Sequence, residues 1–163
     1  MLGHREGQDS MQQPPLKDGF EFAQTHRTLP MALLRAREAV MERFRPMLHE
    51  HGVTEQQWRV LRVLHEAGER DATELAAAAC ILAPSLTRIL KTLEKKAFVT
   101  TRKDPADGRR ALIRLTAGGA AFIRKAAPAS AAVYAELEER LGSERIEALL
   151  DDLGVLLAML ARR

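Results

Sequence analysis

Three helix-start signals follow one another between residues 54 and 84, and they constrain the fold more than any other feature of the chain. Thr54 and Gln57 have the spacing of a capping box, in which side chains and backbone N–H groups of the first turn bond reciprocally. Asp71 and Glu74 repeat this spacing. Pro84 is the third signal, because its fixed φ angle and missing N–H suit a first helical turn. This segment must therefore fold into short helices joined by tight turns.

The apolar residues of this segment recur at helical spacing. Trp58, Leu61 and Leu64 form the inner face of the first helix, which Gly68 ends. A short helix follows from Asp71, then a tight connection at 81–83 and a helix that begins at Pro84. The inner face of that helix carries Leu86, Ile89, Leu90 and Leu93. A short helix, a tight turn and a second helix in this order predict a helix-turn-helix.

A β-hairpin is predicted directly after the second helix. Residues 98–102 are rich in β-forming side chains, and residues 104–110 are dense in turn residues. Residues 111–115 form a second strand with apolar alternation at Ile113 and Leu115. A hairpin in this position is a wing, and its tip carries Arg109 and Arg110.

Positive charge is concentrated in the same region. Residues 84–116 contain nine Lys or Arg against three Asp or Glu, a net charge of +6, whereas the whole chain has a net charge of only +3. The flanking segments are close to neutral. A solvated basic face is one explanation, but a local excess of this kind is typical of a surface that contacts a polyanion.

Helical periodicity continues on both sides of the winged segment. Residues 29–47 carry apolar side chains at steps of three or four, and Pro46 should kink or end that helix. Thr116 can cap a helix that Pro128 breaks or kinks, and Ser143 begins the last one. Its apolar residues at 146, 149, 153, 156 and 160 form a heptad-like seam. These helices exceed what a small winged domain needs for its own core, and they predict a homodimer.

The expected fold class is mainly α with a small β-hairpin wing: a winged helix-turn-helix with N- and C-terminal helices that form a dimerisation domain. The expected organisation is a flexible arm at 1–27, a dimerisation helix at 28–52, a DNA-binding winged helix-turn-helix at 53–116 and dimerisation helices at 117–163. Aromatic residues make up only 4% of the chain, which favours helices over strands. No run approaches the ~20 apolar residues of a membrane span, so a cytoplasmic protein is expected.

The residues resemble the MarR family of bacterial regulators over roughly 29–163. Pro84-Ser85-Leu86-Thr87-Arg88 with Leu93-Glu94 resembles the recognition helix of that family, and 104–110 followed by Leu115, Thr116 and Gly119 resembles its wing signature. Residues 34–41, 44–46 and 54–60 resemble, more narrowly, regulators of homoprotocatechuate-degradation operons. The resemblance implies a transcriptional repressor of an aromatic catabolic operon, released by a small aromatic acid. Ala83 departs from the pattern, because many relatives have a capping Ser or Asp before the proline.

Base and phosphate contacts divide among the basic residues. Arg88 is the best candidate for a base contact, because its guanidinium can pair with guanine O6 and N7. Lys91 and Lys95 suit phosphates, which position a protein without reading sequence. The resemblance implies that Arg109 or Arg110 enters the minor groove, with Asp107 orienting Arg109; which arginine does so stays open. The predicted contacts to a pseudo-palindromic duplex are Ser85, Thr87, Arg88, Lys91, Lys95, Arg102, Lys103, Arg109 and Arg110.

An aromatic acid requires an apolar slot and a cation for its carboxylate. Arg35, Arg37 and Arg62, with Trp58 as a stacking wall, are the available residues, although such a tryptophan is more often part of the core and such arginines more often form surface or dimer ion pairs. At most one of Arg35 and Arg37 can face such a slot, since they point to different sides of one helix.

Other signals and functions are the alternatives. Cys80 is expected to be a buried small side chain, because it lies in an Ala-rich segment without a nearby base; a redox sensor is the alternative. His49 and His51 do not match a zinc-protease motif, and neither a metal nor a cofactor is expected. A winged-helix protein-interaction module is a further alternative. The sequence contains no phosphate-binding Gly loop or nucleophile elbow, so no enzyme is expected.

Overall fold

The structure, a computed structural model, describes residues 28–161. The flexible arm predicted for residues 1–27 lies outside this range. The described residues form six helices and three short strands, and the predicted class, mainly α with a small wing, is confirmed. The elements are α1 (Leu29–Glu50), α2 (Glu55–Ala67), β1 (Arg70–Asp71), α3 (Ala72–Ala78), α4 (Ala83–Lys95), β2 (Val99–Lys103), β3 (Ala111–Leu115), α5 (Ala117–Leu141) and α6 (Ser143–Ala161).

Both predicted capping boxes are present. The Thr54 hydroxyl accepts a hydrogen bond from the backbone N–H of Gln57, and the Gln57 side chain accepts one from the backbone N–H of Thr54. Asp71 and Glu74 make the equivalent pair of bonds at the start of α3. These caps satisfy N–H groups that a helix leaves without partners. Local sequence therefore determines where α2 and α3 begin.

The turn between α3 and α4 differs from the prediction in two details. Helix α4 begins at Ala83 with Leu82 as its N-cap, one residue earlier than expected, and no side chain caps it. Cys80 is exposed and adopts a positive φ of 50°. The prediction that Cys80 is buried is wrong, because α3 ends before this residue and the turn that follows directs it outward. The turn is fixed by the side chains around it, where Leu75, Leu86 and Leu93 are fully buried.

The wing belongs to a three-stranded sheet, and the two-residue strand β1 is an element that the sequence did not indicate. The strand order is β1-β3-β2, with both pairings antiparallel. Asp71 lies opposite Leu112, and Val99 lies opposite Leu115. Two residues are too few to show an alternating apolar pattern in the sequence, so β1 can be recognised only from its pairing with β3.

Neither internal proline ends its helix. Helix α1 continues past Pro46 to Glu50, and α5 continues past Pro128 to Leu141. The breaks considered at these residues therefore do not occur. Buried residues on both sides of each proline anchor the two halves of the helix to the core, as Phe44 and Met47 do around Pro46. Tertiary packing can outweigh the loss of one backbone hydrogen bond.

The two terminal helices are largely exposed in a single chain. Chain contacts divide the protein at Met41–Glu42, within α1, and the N-terminal part of α1 from Leu29 to Met41 contains no buried residue. Helix α6 also contains no buried residue. Its exposed large apolar side chains are Leu149, Leu150, Val155, Leu157, Met159 and Leu160.

Over residues 28–161, no single helix is long and apolar enough to cross a membrane, although α3 and α4 together, which meet at 101°, reach that length and composition.

Candidate nucleic-acid interface

Helix α4 has one buried face and one basic, solvent-exposed face. Leu86, Ile89 and Leu93 hold the helix against the core. The opposite face presents Thr87, Arg88, Lys91 and Lys95 to solvent, with Ser85 half-buried beside them. Within residues 28–161, the three cations on this face have no ion-pair partner, so their charges are available to an external anion.

The N-terminus of α4 is an open end. Leu82 is 79% exposed and makes no side-chain cap, so the loss of a cap inferred at Ala83 is confirmed one residue earlier. A helix N-terminus of this kind has free N–H groups and a partial positive charge, which favour phosphate.

Arg109 is the more exposed of the two arginines at the tip of the wing. The Arg109 side chain is 94% exposed, and its Nε lies 3.4 Å from Oδ1 of Asp107. The same carboxylate oxygen accepts a hydrogen bond from the Arg109 backbone N–H at 3.1 Å. The Arg110 N–H closes the turn by donating to the Asp107 carbonyl at 2.8 Å. Asp107 thus holds the turn in shape and orients Arg109 outward.

Arg110, the neighbouring arginine, points back toward the body of the domain. Its guanidinium donates to Oδ2 of Asp71 at the start of α3. The Glu74 N–H and the Arg110 guanidinium together hold the pKa of the Asp71 carboxyl below its ordinary value. The two arginines are adjacent in sequence, but only Arg109 is directed away from the protein.

Arg102 on β2 is also paired within the chain. It donates to both carboxylate oxygens of Glu69, with Nε–Oε2 at 2.9 Å and Nη2–Oε1 at 2.6 Å. This hydrogen bonding lowers the pKa of Glu69 and raises that of Arg102. Lys103, the next residue, is exposed. Of the four predicted DNA contacts in the wing, Lys103 and Arg109 are therefore directed to solvent, whereas Arg102 and Arg110 are held by Glu69 and Asp71.

The sequence did not point to Glu69 or to a wing contact for Asp71. Their partners lie 33 and 39 residues further along the chain, and no periodicity connects them. Asp71 was visible only as a helix cap.

The comparisons with known proteins agree with this geometry. The MarR family profile matches residues 53–111, which span α2, α3, α4, β2 and the tip of the wing up to the first residue of β3. The homoprotocatechuate degradative operon repressor of Escherichia coli is 41% identical over 124 residues, which cover 76% of this chain and 84% of the repressor. The chain belongs to the MarR family. It is accordingly a transcriptional regulator.

Two solved structures extend the similarity of this MarR-family chain to three dimensions. NadR in complex with 4-hydroxyphenylacetate is 41% identical and superimposes with a TM-score of 0.73, covering 86% of this chain and 97% of NadR. The repressor CouR, bound to a 23-mer DNA duplex, is 31% identical with a TM-score of 0.73, covering 85% of this chain and 95% of CouR.

The candidate effector residues of this MarR-family chain lie in two parts of it. Trp58 is only 9% exposed, and its ring meets Phe122 edge-on with centroids 6.4 Å apart. Arg62, also on α2, is exposed. In the N-terminal part of α1, Arg35 is exposed and Arg37 donates to Glu38 at 2.6 Å. Their role in effector binding stays a prediction.

Metal-binding clusters of His, Cys, Asp and Glu are absent from the part of the chain that the structure describes.

Proposed function

We propose that this MarR-family regulator is a dimeric repressor that binds a pseudo-palindromic operator through α4 and the wing tip. The observation that carries the proposal is the set of unpaired cations on the outer face of α4, together with the outward-directed Arg109. Buried apolar residues on the opposite face of α4 hold that helix in the core, and the Arg109 side chain is almost fully exposed, so both can contact DNA without a change of fold. We propose that the protein has no catalytic activity. We also propose that it is cytoplasmic, because its proposed role is to bind DNA.

Helix α4 occupies the major groove in this proposal. Arg88 contacts a base edge, where its planar guanidinium can pair with two acceptors of guanine. Lys91 and Lys95 lie one and two turns further along the helix and contact phosphates. The Thr87 hydroxyl donates to the Ala83 carbonyl at 3.3 Å, and its oxygen can still accept a hydrogen bond from an amino group of a base. Ser85 is near the open helix end, where a phosphate can also bind the backbone.

Arg109 enters the minor groove, where a narrow A·T tract concentrates negative potential. Its exposure and its orientation by Asp107 support this choice over Arg110, whose guanidinium is engaged by Asp71. Lys103 contacts the adjacent backbone. Arg102 and Arg110 support the wing instead of contacting DNA directly, which narrows the set of predicted contacts.

Dimerisation involves α1 and the C-terminal helices, as the proposed organisation into segments 28–52, 53–116 and 117–163 implies. The exposed apolar side chains of α6 support this, because an amphipathic helix with no buried residue gains little stability by itself. Two copies of α4 related by a two-fold axis would contact half-sites ~34 Å apart.

The decisive experiment compares Arg88→Ala with Lys91→Ala on two duplexes. One is a symmetric duplex that the wild-type protein selects from a randomised library, and the other has the same composition in scrambled order. Binding is measured by fluorescence anisotropy over a range of salt concentrations.

Arg88→Ala should weaken binding to the selected duplex by about 1–3 kcal/mol and relax the preference at one base pair. Lys91→Ala should weaken both duplexes and reduce the slope of affinity against salt. Equal losses on both duplexes for Arg88→Ala would contradict a base contact. If the wild-type protein selects no symmetric duplex, the operator itself is refuted.

We further propose that a small aromatic acid releases the operator, by stabilising a dimer whose two recognition helices have the wrong spacing. NadR, which resembles this chain over most of its length, is solved with such an acid, 4-hydroxyphenylacetate. The proposed ligand contacts are Trp58, Arg62 and one of the two arginines Arg35 and Arg37. Titration of the operator complex with 4-hydroxyphenylacetate, homoprotocatechuate and unrelated benzoates tests the class of effector. A complex that survives the first two acids would refute it and leave DNA binding intact.

A further inference from the structure

Two acidic residues outside the basic surface form ion pairs with arginines of the wing. Glu69 and Asp71 lie in the short segment between α2 and α3, and Arg102 and Arg110 lie on or beside the two strands of the wing. Each acid pairs with one arginine. The two ion pairs therefore connect the segment that leads into the helix-turn-helix to both sides of the wing.

Asp71 uses its two carboxylate oxygens for different elements. Oδ1 accepts the Glu74 N–H at 2.8 Å and caps α3, whereas Oδ2 accepts from Arg110. The Asp71 side chain is only 10% exposed, while that of Arg110 is half exposed. A carboxylate fixed by a helix cap is a rigid partner, because it cannot rotate away from Arg110 without giving up the cap. The position of the wing is thus tied to the start of α3.

The backbone reinforces this connection at the same residue. Asp71 pairs with Leu112 on β3 in the two-residue strand β1. Arg102 pairs with Leu112 from the other side, on β2. The bidentate bond between Arg102 and Glu69 then joins β2 to the residue before β1. Side-chain and backbone contacts converge on one cross-section of the sheet, between the helix-turn-helix and the wing tip.

We propose that Glu69 and Asp71 form a wing clamp: two positioning residues that set the direction of Arg109 relative to α4 and thereby contribute to operator specificity without touching DNA. The inference rests on the proposed function. Simultaneous occupation of the major and minor grooves requires a fixed relation between α4 and the wing. A wing that swings freely loses entropy on binding, and this loss lowers affinity for the operator.

The wing clamp makes a prediction opposite in sign to simple electrostatics. Removing a negative charge near DNA reduces repulsion of phosphates, so electrostatics alone predicts tighter binding to every duplex. Loss of the clamp predicts weaker binding to the operator instead. It also frees Arg102 or Arg110 to meet phosphates, which preserves or increases affinity for random DNA. The ratio of the two affinities should fall.

The test uses Asp71→Asn, because asparagine caps helices as well as aspartate does but carries no charge. Glu74→Gln is the matched control. This variant removes a negative charge three residues from Asp71, and the glutamine still completes the capping box. Glu74 makes no ion pair in the described residues. Full-length proteins are compared by anisotropy on the selected and scrambled duplexes, in the wild-type and in the Arg109→Ala background.

Asp71→Asn should lower affinity for the selected duplex roughly threefold to tenfold and leave affinity for the scrambled duplex equal or higher. Glu74→Gln should not lower either. In the Arg109→Ala background the effect of Asp71→Asn should disappear, since the wing contact it positions is already lost. A variant that merely destabilises the fold would lower affinity in both backgrounds.

The inference is overturned if Asp71→Asn tightens both duplexes as Glu74→Gln does, or if its effect persists undiminished without Arg109. Failure of the proposed function is distinguishable, because the wild-type protein would then show no preference between the two duplexes.

Discussion

Addition of a single methyl group at Gly119 should strongly destabilise the fold. A Cβ atom at this position would lie 2.0 Å from the carbonyl oxygen of Phe98 and 2.9 Å from its carbonyl carbon. Ordinary contacts begin at 3.4 Å, so the backbone of α5 or of Phe98 must move by about 1.4 Å. The Phe98 carbonyl also accepts the Thr116 N–H at 3.0 Å, which holds the first turn of α5 against the wing.

We expect Gly119→Ala to lower the free energy of unfolding by about 3 kcal/mol. Overpacking contributes up to about 3 kcal/mol because the obstacle is backbone and cannot rotate away. The strained hydrogen bond to Phe98 adds about 1 kcal/mol. The higher helix propensity of alanine offsets about 1 kcal/mol of this. For a chain of this size the melting temperature should fall by roughly 6–12 °C.

Urea unfolding at one fixed protein concentration measures the effect, with the fluorescence of Trp58, the only tryptophan, as the probe. Gly154→Ala in α6 is the matched control, because a Cβ there meets nothing within 4 Å; it should stabilise by about 0.5–1 kcal/mol. Gly118→Ala, with its Cβ 3.0 Å from the Ala97 carbonyl oxygen, should fall between the two. If Gly119→Ala is as stable as Gly154→Ala, the close approach does not control packing here.

Two further predictions concern the dimer and the response to acid. The double variant Leu149→Asp, Leu157→Asp should be a monomer in sedimentation or light scattering, because both exposed side chains lie on one face of α6. The control variant Asp151→Asn should stay dimeric. A dimeric double variant would refute α6 as an interface. The pKa values of Glu69 and Asp71 are lowered on folding, so their stabilisation is present above their ordinary values near 4 and is lost as the pH falls through the lowered values. Urea unfolding at a series of pH values should therefore show a smaller acid-induced loss for the combined Glu69→Gln and Asp71→Asn variant, and an identical loss would contradict this contribution.

Sequence reasoning performed best where the determining interactions are local. Thr54 and Asp71 fix the starts of α2 and α3 through bonds that span three residues, and these starts were predicted from the residue types alone. The order of helices and wing followed in the same way. Cys80 was misplaced because its burial depends on where α3 stops and on one residue with positive φ, neither of which the neighbouring residue types indicate.

Predictions for the candidate interface also succeeded where the determining relation is local in sequence and failed where it is not. Arg88, Lys91 and Lys95 were assigned to one outer face because helical spacing relates residues that are close in sequence. The four predicted contacts in the wing, Arg102, Lys103, Arg109 and Arg110, could not be separated in this way, because a strand pattern says nothing about the acid that each arginine meets.

The sequence by itself determined the kind of protein: capped short helices, a basic helix face and a turn rich in arginine, each specified within a few residues. Only the tertiary structure decided which arginine faces outward, why residue 119 has no side chain, and that a two-residue strand joins the wing to α3. These features depend on contacts between residues that are about 20 to 43 positions apart in the sequence, and such contacts exist only after the chain has folded.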